Sequence, residues 1–529
     1  MSFSIVKKAV VAVVLSAFAY VTRPVWHPLF MLFYTNPAIV ESAILAYILS
    51  LPFSRYSQGI LTVRTVRKVK IKVGEGVEDV ERRKRNVIER VIPNPAVFTI
   101  LFTVILFILL PAQGLYTPLY LSHNLRYEKV GKLPEVDPAV VRIVPKVVAD
   151  KYAMDALQFP RYTIDRGAIV FVNGTPYWGY GLIPEGLVNS FVLKDKGAIY
   201  VDMSAFGKKT EIVEKSMEVG EGMYLTDNYL WQIYSRKYTV DCEKPYFVPY
   251  DGRLYMAVPA IGYELHFRFP VFFTTPVWAG VFLISQNGSV RFLTSKQAEK
   301  CRILAGQKLF PAELAREYID SFNYIHGILN VLLYHRDQFE IADVPGQSNQ
   351  QPFLIATKQG LKWIIACEPY GQSYGIFRIY IVDARTGEIQ LYQPSSTKAL
   401  IGPVRAVDYV KQAMPKVDWQ TMKAVEPIPV VVNGTLYWQV RIIPSDASGI
   451  AYVAMVNAEN PNDVIVLRSY SEVKAFLEKG ENFTLNSTTG TSKKVSRGIA
   501  YYLVIKKNGV VVRRIPVYVN ESVEVLPAG

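Results

Sequence analysis

Gly371-Gln372-Ser373-Tyr374-Gly375 has the Gly-x-Ser-x-Gly spacing of a serine nucleophile elbow. Such an elbow needs a strand entering the turn and a helix leaving it, because the strained strand-to-helix turn is what exposes the serine. Here the turn is followed by Ile376-Phe377-Arg378-Ile379-Tyr380-Ile381-Val382, an apolar, β-branched run that reads as a strand. The segment is therefore read as a hairpin loop. Of five histidines, His326 and His335 are nine residues apart, which does not place them at i and i+4 on one helix face. No His-Glu-x-x-His and no Gly-x-x-x-x-Gly-Lys occurs. Asp383 and Glu388 flank a turn and read as solvated carboxylates rather than an acid–base pair. No catalytic, cofactor-binding or metal-binding residue is assigned, and the chain is read as non-enzymatic.

Two covalent chemistries remain. Asn-x-Ser/Thr sequons occur at Asn173, Asn287, Asn433, Asn482, Asn486 and Asn520, all in the C-terminal four-fifths of the chain. They are candidate glycosylation sites if that part lies outside the cell. Of the three cysteines, Cys242 and Cys301 bracket one hairpin unit and are expected to form a disulfide in an oxidising compartment. Cys367 sits in an apolar strand-like run and reads as a small buried hydrophobe.

What must position these groups begins with three apolar segments, at about 9–22, 37–53 and 96–112. Crossing the hydrocarbon core takes roughly 17–25 apolar residues. The third segment meets that length without a charge; the second meets it with Glu41 near one end, where a carboxylate reaches the headgroups or serves as an intramembrane acid. The first is short, and Ala17-Phe18-Ala19 resembles a cleavage site, so it reads as an anchor or a cleavable leader. The aromatic stretch 26–34 either extends the second segment across an Asn36-Pro37 kink or lies at the interface. Between Arg55 and Arg90 there are eleven Lys and Arg, including Lys68, Lys70, Lys72, Arg82, Arg83, Lys84 and Arg85. Such loops stay cytoplasmic. A multi-pass cell-membrane protein follows, with residues 113–529 extracytoplasmic. Within the loop, 66–73 alternates as a short basic strand, and Val77, Val80, Val87, Ile88 and Val91 suggest an amphipathic helix after it.

The net charge of +14 is not a nucleic-acid signal. Residues 1–112 carry 14 basic and 6 acidic side chains, whereas residues 113–529 carry 45 and 39, an ordinary mixed surface. The expected partners are anionic lipid headgroups at the basic loop, which attract each nearby cation by about 1 kcal/mol, and a protein of the envelope.

Residues 170–184 and 430–444 are identical at nine of fifteen positions. Such similarity marks a duplicated unit. In each, a β-branched run reaches Asn-Gly and an aromatic run leaves it, the signature of a type I′ hairpin. Asp251-Gly252, Gln359-Gly360 and Asn508-Gly509 repeat the grammar. Runs at 139–157, 311–333 and 402–414 carry apolar residues at helical spacing ahead of hairpins. The expected fold is α+β: N-terminal transmembrane helices (1–112), then repeats of a helix and a small antiparallel sheet at 113–240, 241–310, 311–400 and 401–480, and a β-hairpin segment at 481–529.

Ile379-Tyr-Ile-Val-Asp-Ala-Arg-Thr-Gly-Glu-Ile-Gln-Leu-Tyr392 resembles the closing strand–turn–strand of PepSY modules, and the helix-then-hairpin order before it agrees. The other units depart from the pattern: Ser285-Gln286-Asn287-Gly288 lacks its Asp and Thr, and 199–212 lacks its turn. The resemblance implies non-catalytic, extracytoplasmic modules tied to peptidase propeptides or surface proteins, and it transfers no active-site residue. The chain is thus expected to be a surface protein that binds or scaffolds other envelope proteins. The alternatives are a membrane subunit of a secretion, adhesion or exchange complex, and a membrane-anchored hydrolase or peptidase regulator.

Overall fold

The computed structural model describes residues 3–53, 55–73, 76–92, 94–342, 349–371, 375–395, 399–480, 499–507 and 510–518, with backbone alone for 3–9, 55–73, 76–92 and the last two segments. The chain is mixed α+β with several antiparallel sheets. Prolines set the helix starts near the N-terminus, since a first-turn proline forfeits no intrahelical bond. α1 (Phe3–Val21) meets α2 (Arg23–Thr35) at 87°. α3 (Pro37–Ser50) follows Asn36 directly. α4 (Pro95–Asn124) is capped by Asn94 and is, among the described residues, the one unbroken helix long and apolar enough to cross a membrane. It outruns the expected segment by twelve residues. The aromatic stretch 26–34 falls in α2, a helix of its own.

Between α3 and α4 the chain forms two long antiparallel strands, Arg55–Val73 and Gly76–Ile92, with Val69 opposite Val80. This corrects the expected helix at 77–91. Val and Ile lose side-chain freedom in a helix, whereas a hairpin pairs most of them across the ladder. Lys68, Lys70, Lys72, Arg82, Arg83, Lys84 and Arg85 lie on these strands, and their side chains lie outside the description.

Two small two-stranded sheets aside (375–376 with 400–401, and 499–507 with 510–518), the rest of the described chain is built on four larger, mainly antiparallel sheets that share one register. In the first, Tyr162–Ile164 and Ala168–Val172 both pair with Thr175–Pro184, followed by Asp195–Asp202 and Thr210–Met217. The second runs Tyr246–Tyr250, Arg253–Arg268, Val271–Ser285, Val290–Leu293, with Asp241–Cys242 beside the second strand. In the third, Phe339–Ile341 and Phe353–Thr357 both flank Gly360–Pro369, then come Arg378–Asp383 and Ile389–Tyr392, with Tyr127–Val130 added parallel at the edge. The fourth runs Met422–Val432, Thr435–Pro444, Tyr452–Asn457, Val464–Leu467. The residue two past each hairpin's closing position pairs with the last residue of the third strand: Tyr177 with Asp202, Tyr255 with Ser285, Lys362 with Asp383, Tyr437 with Asn457. Asn173-Gly174, Asp251-Gly252 and Asn433-Gly434 all take positive φ, as a type I′ turn demands. At Gln359-Gly360 only Gly360 does, so that loop is built differently.

Each first strand is also interrupted at one place, between Ile164 and Ala168, Cys242 and Tyr246, Ile341 and Phe353, and as a bulge between Val425 and Ile428. The remaining helices are α5 (Lys146–Ala156), α6 (Leu187–Val192), α7 (Tyr229–Arg236), α8 (Ser295–Lys300), α9 (Ala312–Ser321), α10 (Pro403–Ala413) and α11 (Tyr470–Lys479), and all but the exposed α6 pack on the sheets. One face of the first sheet packs on α5 and the other on the second sheet. One face of the third packs on α9 and the other on the fourth, which α10 and α11 cover. α7, inside 113–240, packs in the core that the first and second sheets share.

One tryptophan repeats the logic at atomic level. Trp178, Trp363 and Trp438, each three residues past the closing position of its hairpin, donate their indole N–H to Val144 (3.1 Å), Phe310 (3.0 Å) and Ile401 (2.8 Å). Each acceptor carbonyl lies two residues before the start of α5, α9 or α10. Met256 holds this position in the second sheet.

Candidate functional site at the junction of the N-terminal helices and the sheets

α3 places Ala38, Ser42, Ala46 and Ser50 at every fourth position, all fully buried, so that α4 can approach closely. Where α2 ends and α3 begins, Pro37 leaves backbone groups without helical partners. Gln113 of α4 fills that break. Its amide donates to the Thr35 carbonyl (2.8 Å) and to Asn36 Oδ1 (3.2 Å), and its carbonyl accepts from Ala38 N (3.1 Å). The second sheet joins the same knot: Thr274 Oγ1 donates to the Thr35 carbonyl (2.8 Å), and Thr117 Oγ1 to the Thr274 carbonyl (3.0 Å). α2 is fastened to α7. The His27 ring stacks on Tyr234 at 3.6 Å and the Arg23 guanidinium lies 4.3 Å from the Trp231 ring, while Trp231 Nε1 donates to the carbonyl of Val21, the last residue of α1 (3.0 Å).

Beside this knot opens a cleft of about 740 Å³, whose walls include Gln113, Thr117, Tyr263 and, from α9, Glu313, Arg316, Glu317 and Asp320. Burial, then Asp320 and Glu313, push the Glu317 carboxyl up. Three acids against one arginine suit a cationic group. No cluster of three or more His, Cys, Asp or Glu among the described residues is arranged to hold a metal.

A second group of carboxyls lies inside the body. Asp195 is fully buried. Its Oδ2 accepts from Glu221 N (2.9 Å), while its Oδ1 has no hydrogen-bond partner. The fit is tight, since a Cβ on Gly220 would lie 1.8 Å from that Oδ2. Asp195 faces Asp165, Glu221 and Lys194, and burial pushes it up to about 7. Burial also pushes up Asp165 and Glu221 and lowers Lys244 to about 8. A carboxyl that holds its proton more tightly folded than unfolded stabilises the fold at low pH, and that contribution is lost as pH rises toward 7. Stability of the full chain in detergent should therefore fall between about pH 4 and pH 7 and level off above that. Asp195→Asn, which keeps shape and removes the titration, should flatten that fall by up to about 1.4 kcal/mol per pH unit. An unchanged slope in denaturation midpoints would remove Asp195 as its source.

The residues singled out by sequence are dispersed. Gly371 has positive φ and Gly375 opens a strand, while 372–374 lie outside the described residues. His326 Nε2 contacts Asp337 (3.2 Å), and His335 stacks on Tyr370. Asp383 pairs with Lys362 (2.6 Å) and caps its turn at Arg385 N and Thr386 N. Asn173, Asn287 and Asn433 sit exposed at turns. Asn433 Nδ2 already donates to the Lys479 carbonyl (3.1 Å). Asn482, Asn486 and Asn520 lie outside the described residues, as does the turn at Asn508-Gly509. All three cysteines are free, which corrects the expected Cys242–Cys301 bridge. Cys242 and Cys301 both pack at the rim of the second core, and burial pushes the Cys242 thiol up to about 12. Gln113 and Asp195 were not singled out by sequence, although the Ala38/Ser42/Ala46/Ser50 spacing was a readable sign of close helix packing. Comparison of the sequence with models of known protein families and with curated proteins finds no match to either.

Proposed function

We propose that the chain is a non-enzymatic, multi-pass membrane protein whose repeated modules stand outside the cell as a scaffold for other envelope proteins. The observation that carries this reading is the Gln113 knot. It ties α2, α3, α4 and the second sheet together, so the body is seated rigidly on its helices rather than tethered by a linker. A rigid seat holds a binding surface at fixed height and orientation, which is what a scaffold needs. The acidic cleft beside the knot is the surface offered to a partner with a cationic segment. α1 favours a second reading, a membrane subunit of a larger assembly, because its side chains from Val10 to Tyr20 are exposed and open to partner helices.

The topology is tested in sealed, right-side-out vesicles. An impermeant amine reagent should modify exposed Lys208 on the body and spare Lys68, Lys70 and Lys72 until the vesicles are lysed. The reverse pattern, or release of the protein by carbonate washing, would overturn the proposal.

A further inference from the structure

The hairpin that joins Arg253–Arg268 to Val271–Ser285 ends in exposed apolar side chains: Leu265 is 63%, Phe267 56%, Phe269 83% and Phe272 39% exposed. We propose that this tip is a membrane wedge that enters the outer leaflet beside α3 and α4. The inference rests on the reading of those helices as membrane-spanning and adds a part of the body to the bilayer.

Depth is set by packing along α4. Thr117 bonds to the Thr274 carbonyl, Tyr120 lies against His266 and Phe273, and Val271 is buried against Leu109 and Ala38. The strand thus descends along α4, covering eight residues of helix or about 12 Å between Thr117 and Leu109. Leu109 lies inside the uncharged run that ends at Ala112. Phe269 and Pro270 form the turn beyond Val271, and on α4 the exposed apolar side chains Ile108 and Phe107 come next beyond Leu109. The tip is therefore continuous with the surface of α4 that would face lipid. Nothing but lipid need cover it.

Two polar details fit that depth. Irregular backbone in hydrocarbon must have its N–H groups satisfied by protein. The Phe272 N–H donates to Glu41 Oε2 at 3.0 Å, which gives the acid in the second apolar segment a task. The one charge at the tip, Arg268, places its guanidinium 5.4 Å from the ring of Tyr116, almost two turns up α4 from Leu109. That is the direction in which a basic side chain snorkels toward the headgroups.

The test uses the full chain in phosphatidylcholine vesicles, with the native cysteines replaced by serine and spin labels at Phe269→Cys, Ile108→Cys and Ser289→Cys. Collisions with oxygen, which concentrates in lipid, are compared with collisions with a water-soluble nickel chelate. The label at 269 should follow the one at 108 and oppose the one at 289. A label at 269 that behaves like 289, while 108 reads as lipid, overturns the wedge and leaves the anchoring intact. Water access at both 108 and 269 overturns the anchoring and the wedge with it. Phe269→Trp in the otherwise native chain needs no cysteine replacement. Its added fluorescence should be quenched by brominated lipid, and unquenched emission would contradict the wedge.

Discussion

Trp438→Ala should destabilise the full chain by about 3–5 kcal/mol, the range for truncating a large buried aromatic. Trp438 is wholly buried and belongs to the core that α10, α11 and the third and fourth sheets share. Its indole also donates to the Ile401 carbonyl two residues before α10, so it fixes where that helix begins. Trp438→Phe keeps most of the packing and loses only the hydrogen bond, and should cost roughly 1–2 kcal/mol. Trp178 and Trp363 make the same bond to the entry of α5 and α9, and their alanine variants should fall in the same range. Urea or thermal denaturation of the full chain in detergent reads all of these. A Trp438→Ala loss below 1 kcal/mol would mean that the helix entry is held by something else. Equal losses for Phe and Ala would assign the effect to the hydrogen bond.

The hairpins were legible because their chemistry is local. Asn173-Gly174, Asp251-Gly252 and Asn433-Gly434 need only their own residues to take positive φ, and the alternation beside them sets which side chains face a helix. Long-range effects were not legible. α4 runs to Asn124 past the polar residues that end its apolar run, because Gln113 and Thr117 find partners on α2, α3 and the second sheet. The basic loop showed valines at a helical spacing, yet each strand stabilises the other across the ladder, which no single-segment pattern reveals. The cysteine spacing suggested a bridge, but a spacing carries no distance. Of the candidate site, Glu41 was visible as an anomaly in an apolar run, while its partner, the Phe272 N–H, is 231 residues away.

The interruption in the first strand of each sheet leads to the other large effect. In the fourth sheet the bulge holds Glu426 at a φ of 49°, a conformation that non-glycine residues seldom adopt. There its carboxylate accepts from Lys146 N (2.8 Å), the first residue of α5 under the first sheet, and from Asn349 Nδ2 (2.6 Å), and it pairs with buried Arg142. Its backbone carbonyl accepts from fully buried Arg441 (2.6 Å). Glu243, in the corresponding break of the second sheet, does the same for α9, accepting from Ala312 N (2.8 Å). Both helices have proline before their first residue and no side-chain cap of their own, so an acid from another repeat supplies the cap and favours the positive end of the helix. Glu426→Ala removes the cap and leaves Arg142 buried without its counter-charge, and should cost about 3–5 kcal/mol. Glu243→Ala removes a cap without orphaning an arginine, and should cost nearer 1 kcal/mol. Pairing Glu426→Leu with Arg142→Met removes both charges at once, and should cost less than the two single losses added together. Denaturation midpoints of the two alanine variants, the Leu and Met single variants and their double decide the point. Equal costs for Glu426→Ala and Glu243→Ala would show that the cap alone matters, and strict additivity in the Leu/Met pair would show that Arg142 is held by its bond to the Leu354 carbonyl rather than by Glu426.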